Sequence, residues 1–168
     1  MKFLYISLFV LISSSLFAQK SIDDLLRQTN HKGIPYISAQ ELAMPKTKVV
    51  ILDTREADEF AVSHLKNAIL VGYNNFSVDS ITNYVANKQF PIVVYCSLGI
   101  RSETIAAQLK KAGYTKVYNL YGGIFEWKNN NFKVFDSENN ETDNIHVYSK
   151  YWGQWLTNGN KILNGSAK

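Results

Sequence analysis

The sequence predicts an α/β protein built on an open, mainly parallel sheet flanked by helices. Two observations lead there. Apolar runs of strand length recur along the chain: Lys48-Val-Val-Ile-Leu-Asp53, Ala68-Ile-Leu-Val71, Pro91-Ile-Val-Val-Tyr95 and Lys116-Val-Tyr-Asn-Leu120. They are continuous rather than alternating, as in strands covered on both faces. Segments of helical period separate them, and strands alternating with helices build parallel sheets with right-handed crossovers.

In chain order, residues 1–18 stand apart. Lys2 precedes the apolar stretch Phe3–Ile12, and Ser13-Ser-Ser-Leu-Phe-Ala18 gives a polar break and a small residue before Gln19. That is the layout of a cleaved bacterial-type signal peptide. The stretch falls short of the ~20 apolar residues of a membrane span, so export to a periplasmic or secreted location is expected, without stable membrane insertion after cleavage. Residues 19–35 form a lead-in, with Ile22, Leu25 and Leu26 on one side of Ser21–Lys32.

Residues 36–135 hold the main domain. Ser38-Ala-Gln-Glu-Leu42 carries the Ser-x-x-Glu signature of a capped helical turn. Glu56–Ser63 reads as a short helix, and Val78–Asn87 as another on the strength of Val78, Ile81 and Val85. Ser102–Ala112 places Ile105, Ala106, Leu109 and Ala112 on one helical face, with Gly113 just past its end. Gly122-Gly-Ile-Phe-Glu-Trp127 opens the last core helix. Residues 136–168 are a C-terminal extension: a polar, Asn-rich loop over Ser137–Asn144, then Tyr148, Tyr151, Trp152, Trp155 and Leu156 at the spacing of an aromatic helical face. Such a face packs on its own domain, or serves as a partner surface or a wall of the active-site mouth.

Composition removes several functions. The formal charge is +4, but the basic residues are scattered, with no stripe and no interleaved aromatic platform, which argues against nucleic acid. His31, His64 and His146 lack metal-ligand spacing and have no cysteine neighbours, so no metal site is expected. A single cysteine excludes an intramolecular disulfide.

That cysteine, Cys96, ends the apolar run Pro91–Tyr95 and opens the loop Cys96-Ser-Leu-Gly-Ile-Arg-Ser102, where a helix begins. Ligands of parallel sheets bind at the carboxyl ends of strands, where Cys96 and Asp53 both lie. Gly99 lets the chain curl around the sulfur, and the N–H groups of Ser97, Leu98, Gly99, Ile100, Arg101 and Ser102 can point inward at an anion. Arg101 adds a permanent charge suited to oxyanions, and Ser102 can cap the helix or donate to the sulfur. These neighbours favour a thiolate over a thiol.

Three segments in order resemble the rhodanese-homology family of sulfurtransferases. They are Leu52-Asp-Thr-Arg-Glu56 with Phe60 and Ser63-His-Leu-Lys-Asn-Ala-Ile69; the Cys96–Ser102 loop; and Gly113-Tyr, Val117, Leu120 and Gly122–Trp127. The resemblance covers about residues 36–127 and implies a rhodanese-like three-layer fold. It implies sulfane-sulfur transfer from thiosulfate or a persulfide donor to a thiol or protein acceptor. The intermediate would be a covalent persulfide on Cys96, with no other cofactor. Related phosphatases place five residues between nucleophile and arginine. Here Ser97, Leu98, Gly99 and Ile100 intervene, a smaller ring that suits one sulfur atom. Leu98 and Ile100 also make the pocket greasier than a loop rich in basic residues. His64 matches a family position that implies a loop-holding role. Beside the site, Asp53 either tunes it electrostatically or, as its residue type favours, fixes backbone amides or pairs with Arg55; Arg55 either adds positive potential or serves as the partner of Asp53 or Glu56. The alternative is a module without turnover that carries sulfur or binds a partner protein through the Tyr148–Leu156 face; a phosphatase is a third option.

Overall fold

The computed structural model describes residues 21–163; the expected signal peptide lies outside them. The elements in order are α1 (Ile22–Thr29), β1 (Tyr36–Ile37), α2 (Ala39–Leu42), β2 (Val50–Asp53), α3 (Ala57–Val62), β3 (Ile69–Leu70), α4 (Val78–Ile81), β4 (Ile92–Tyr95), α5 (Ile100–Lys111), β5 (Val117–Leu120) and α6 (Gly123–Asn129). A C-terminal extension adds β6 (Val134–Phe135), β7 (Glu141–Thr142), β8 (Asn144–His146), a 3-10 helix (Trp152–Trp155) and β9 (Asn160–Ile162).

The main sheet has the order β1-β5-β4-β2-β3, and each of its pairings is parallel. Its central strand explains the continuous apolar run. Val93 and Tyr95 enter a core with Leu25, Leu42, Ile124 and Phe125, whereas Ile92 and Val94 enter a second core with Ile81, Ile105 and Leu109. Successive side chains point to opposite faces, so a strand buried twice is apolar throughout. The first face is covered by α1, α2, α6 and the extension, the second by α4 and α5.

The register aligns the carboxyl ends that matter. Asp53 pairs with Tyr95 across β2 and β4, and both the N–H and the hydroxyl of Thr54 donate to the Tyr95 carbonyl, at 2.9 and 3.0 Å. The chain leaving β2 and the loop leaving β4 therefore emerge side by side.

Two expected helices differ. Val78–Asn87 holds one α-helical turn, because beyond Ile81 the backbone closes i−3 bonds and the Thr82 hydroxyl takes the Asp79 carbonyl at 2.7 Å. Such side-chain bonds compete with helix propagation. The aromatic helix of the tail is instead two parallel strands, β8 and β9, joined through the single 3-10 turn. Tyr148 has φ +62°, a left-handed conformation that stops a right-handed helix at its first aromatic residue. The Asn-rich loop closes as the antiparallel pair β6–β7. Within the extension Val147, Trp155 and Leu156 join the first core, and burial of each contributes about 1.5–3 kcal/mol. These three residues belong to the same core as β4.

Candidate active site

Cys96 follows β4 directly and is 2% exposed. Gly99 has φ +97°, which brings its N–H back onto the sulfur: Gly99 N donates to Cys96 Sγ at 3.1 Å. A side chain here would be strained by the backbone angle and would lie 3.3 Å from the Leu120 carbonyl oxygen. Gly99 is the N-cap of α5, so the expected capping role of Ser102 falls to glycine. Ser102 lies inside the helix instead, with its hydroxyl 3.6 Å from Sγ and 2.8 Å from Asn119 Oδ1.

Burial alone would raise the Cys96 thiol. The Arg101 charge and hydrogen bonds from the Ser102 amide, the Ser102 hydroxyl and the Leu98 amide overcome it, and the thiol falls below its ordinary range. Cys96 is therefore biased toward thiolate, the nucleophilic form.

The loop is held from behind by α6. Ile124 N donates to the Cys96 carbonyl at 2.9 Å and Phe125 N to the Ser97 carbonyl at 3.1 Å. Gly123, at φ +57°, makes this approach possible, because a Cβ there would sit 2.2 Å from the Cys96 carbonyl oxygen. With those carbonyls turned toward α6, the sulfur meets amide hydrogens.

Sequence reasoning missed two residues that support the loop. Glu59 of α3 is 1% exposed and accepts two parallel bonds from Arg101, Nη1 to Oε2 and Nη2 to Oε1, both at 2.7 Å. Ser97 Oγ also donates to Glu59 Oε1, at 3.2 Å. Burial would raise the Glu59 carboxyl, but the Arg101 bonds and charge, with the Glu56 N–H, hold it below the usual carboxylate value. Asn119 of β5 donates from Nδ2 to the Gly99 carbonyl at 2.7 Å while its Oδ1 faces Ser102, and so clips the loop to α5. The signal for Glu59 was faint: it stands three residues after Glu56, whose N–H it accepts at 3.1 Å.

Arg101 is the largest departure from expectation. Both of its terminal nitrogens hold Glu59, and Nη2 also reaches Ser97 Oγ at 3.2 Å. Much of its charge is thus neutralised locally, although the side chain remains 23% exposed.

Asp53 and Arg55 pair in full burial. Asp53 accepts the Arg55 backbone N–H at 2.9 Å and its Nη2 at 2.6 Å, while Nη2 also donates to the Ser63 carbonyl. The guanidinium lies 5.5 Å from the Tyr95 ring centroid. His64 pairs its backbone with Phe135, at 2.8 and 2.9 Å, and stacks its ring on Phe60 at 4.0 Å. None of these three lines the pocket around Cys96.

That pocket has a volume of about 330 Å³. Cys96, Ser97, Leu98, Ile100 and Arg101 line it together with Glu56, Tyr73 and Asn74, and with Tyr148 and Trp152 from the extension. Among the described residues no group of three or more His, Cys, Asp or Glu could hold a metal ion. The arrangement is chemically suited to a thiolate that attacks an electrophilic atom and then carries it in a cradle of amides.

A family model described as the rhodanese-like domain matches residues 38–130. A thiosulfate sulfurtransferase GlpE from Coxiella burnetii (strain RSA 331 / Henzerling II) is 35% identical over 100 residues, spanning 58% of this chain and 88% of that protein. A tRNA uridine(34) hydroxylase from Aster yellows witches'-broom phytoplasma is 34% identical over 114 residues, 64% of this chain but 36% of that protein. Among solved structures, a rhodanese-like domain from Anabaena sp. superposes with a TM-score of 0.55 at 23% identity, covering 61% of this chain and 79% of that one. A thiosulfate sulfurtransferase from Pseudomonas aeruginosa gives a TM-score of 0.56 at 22% identity, covering 73% of this chain and 23% of that one. These structures share the fold.

Proposed function

The chain belongs to the rhodanese-like domain family, and from that premise we propose that it is a sulfurtransferase working through a Cys96 persulfide. The observation that carries the reading is Cys96 Sγ, accepting the Gly99 N–H at 3.1 Å beside a pocket it helps to line. In the first half-reaction the thiolate attacks the outer sulfur of thiosulfate or a persulfide. A bond forms from Sγ to that sulfur, the donor's S–S bond breaks, and its electron pair leaves with sulfite or a thiolate. In the second, an external thiolate attacks the outer sulfur and the Sγ–S electron pair returns to Cys96. Arg101 offsets negative charge at the sulfur, and the loop amides hold it. No metal or further cofactor enters either step.

Mass spectrometry of the purified protein after thiosulfate treatment tests this directly. Cys96 gains the mass of one sulfur atom and loses it on addition of cyanide, while Cys96→Ser neither gains sulfur nor turns over. Turnover retained by Cys96→Ser would falsify the assignment.

A sulfur carrier is a second reading, favoured by the lone cysteine, which leaves no internal thiol to release the persulfide. A persulfide that forms but turns over no faster than free thiols react selects it. We read residues 1–18 as an export leader; a mature N-terminus at Gln19 in material recovered outside the cytoplasm is the expected result, and an intact Met1 overturns it.

A further inference from the structure

The extension reaches into the pocket in a way the sulfur chemistry alone does not require. It lies beyond the family-matched residues 38–130, yet it supplies Tyr148 and Trp152 to the lining. It is fixed at its base. Val147, Trp155 and Leu156 are buried in the core, and Asn144–His146 pairs with Asn160–Ile162 as parallel strands. From that base Tyr148 turns outward. Its φ is +62°, its N–H is donated to His146 Nδ1 at 3.2 Å, and 60% of its surface is exposed. A bulky residue in the left-handed region is strained, and burial returns little to a side chain so exposed. The backbone instead aims the ring at the mouth, where its centroid lies 5.8 Å from the Arg101 guanidinium.

Charge points the same way. Arg101 spends both terminal nitrogens on Glu59, and Glu56 adds a carboxylate to the lining. Little uncompensated positive charge remains for a small dianion. The remaining walls are largely apolar or aromatic: Tyr73, Leu98, Ile100, Tyr148 and Trp152. A volume of about 330 Å³ also exceeds what one sulfane sulfur and a sulfonate fill.

Building on the reading of Cys96 as a persulfide carrier, we propose that Tyr148 and Trp152 are specificity-determining residues that bind the apolar body of an organic thiol. The site then exchanges sulfur with the couple RSH/RSSH, where R is hydrophobic or aromatic, in preference to small hydrophilic thiols. In that exchange RS⁻ attacks the outer sulfur of the Cys96 persulfide. The R–S–S bond forms, the Sγ–S bond breaks, its electron pair stays on Sγ as thiolate, and the outer sulfur leaves as RSSH with its proton. The persulfide oxidation level passes from Cys96 to R, and no further oxidant is needed.

The test is single-turnover transfer from thiosulfate-loaded full-length protein to benzyl mercaptan, 2-mercaptoethanol or cyanide, each corrected for its uncatalysed rate. Loading is first verified by mass. Where thiosulfate loads poorly, benzyl persulfide is the donor instead, and failure to load from both overturns the proposed function itself, before any acceptor is added. With loading intact, benzyl mercaptan outpaces 2-mercaptoethanol by roughly tenfold or more, the scale of discrimination an apolar pocket gives. Tyr148→Gly suits the left-handed backbone and so folds, and it lowers the benzyl mercaptan to cyanide rate ratio several-fold through a weaker apparent affinity; Trp152→Phe lowers it less. Tyr84→Ala, at an exposed residue that does not line the pocket, leaves the ratio alone. Loaded protein with no preference, or a preference that survives Tyr148→Gly, overturns the proposal.

Discussion

Asp53–Arg55 and Glu59–Arg101 are carboxylate–guanidinium pairs of nearly equal length, 2.6 and 2.7 Å, near the same end of the sheet. The first is sealed, with neither side chain exposed; the second keeps its glutamate buried and its arginine side chain 23% exposed. In Arg55 the pull of burial is overcome by Asp53, so the guanidinium remains charged, and it braces the Ser63 carbonyl. Arg101 shares its charge between Glu59 and the Cys96 sulfur. Similar chemistry supports the scaffold where water is excluded and tunes a nucleophile where one edge stays open.

The sharpest way to separate them is Asp53→Ala. It leaves a buried guanidinium without its anion, a loss of about 3–5 kcal/mol readable by chemical denaturation. The pH profile of Cys96 alkylation in the folded fraction should stay unchanged. A moved profile would mean that the sealed pair also tunes the sulfur.

Glu59→Gln should cost less, about 1–3 kcal/mol, and act on chemistry in the opposite sense from a simple lesion. Releasing Arg101 from its counter-charge lowers the Cys96 thiol further and improves apparent affinity for thiosulfate. The substitution also removes an acid-sensitive term. Because the folded Glu59 carboxyl is depressed, its contribution is present above the unfolded value of about 4.3 and disappears as pH falls through the folded value. Acid unfolding of Glu59→Gln should therefore be shallower, and a steeper transition would contradict the pairing.

A smaller effect is expected in the wild-type thiolate itself. Iodoacetamide reacts with Cys96 below the pH at which a free thiol of pKa ≈ 8.5 is half ionised, and the rate falls as pH drops through the lowered value. In Arg101→Met the profile moves back up. The smallest effect belongs to an exposed pair, Lys133–Glu141 at 2.7 Å: Lys133→Ala should shift stability by under about 1 kcal/mol and leave sulfur transfer untouched.

The parts legible in the sequence are those written locally. From Pro91 to Trp127, strand, loop, helix, strand and double glycine follow one another, and each has its own chemical signature. Glu59 was not legible because a glutamate in a short helix is almost always exposed. Its partner lies 42 positions away, and only the fold brings them together. Asn119 reads as strand filler until Ser102 and Gly99 close on either side of it. In the tail, the three- and four-residue aromatic spacing fits a helix and also fits one 3-10 turn between strands. Val147, Gly153 and Gly159 weigh against the helix, but only tertiary packing decides: Gly153 fits where a Cβ would meet Val147 at 3.3 Å.

The contact between α6 and the Cys96 loop sets where this protein can diverge. Hydrogen bonds from Ile124 and Phe125 fix the loop through main-chain atoms, and peptide groups offer mutation nothing to alter. Substitution can break that foundation but cannot retune it. At the rim, by contrast, Tyr148 and Trp152 of the appended segment face open space, and their side chains can be exchanged while the main-chain bonds beneath stay as they are.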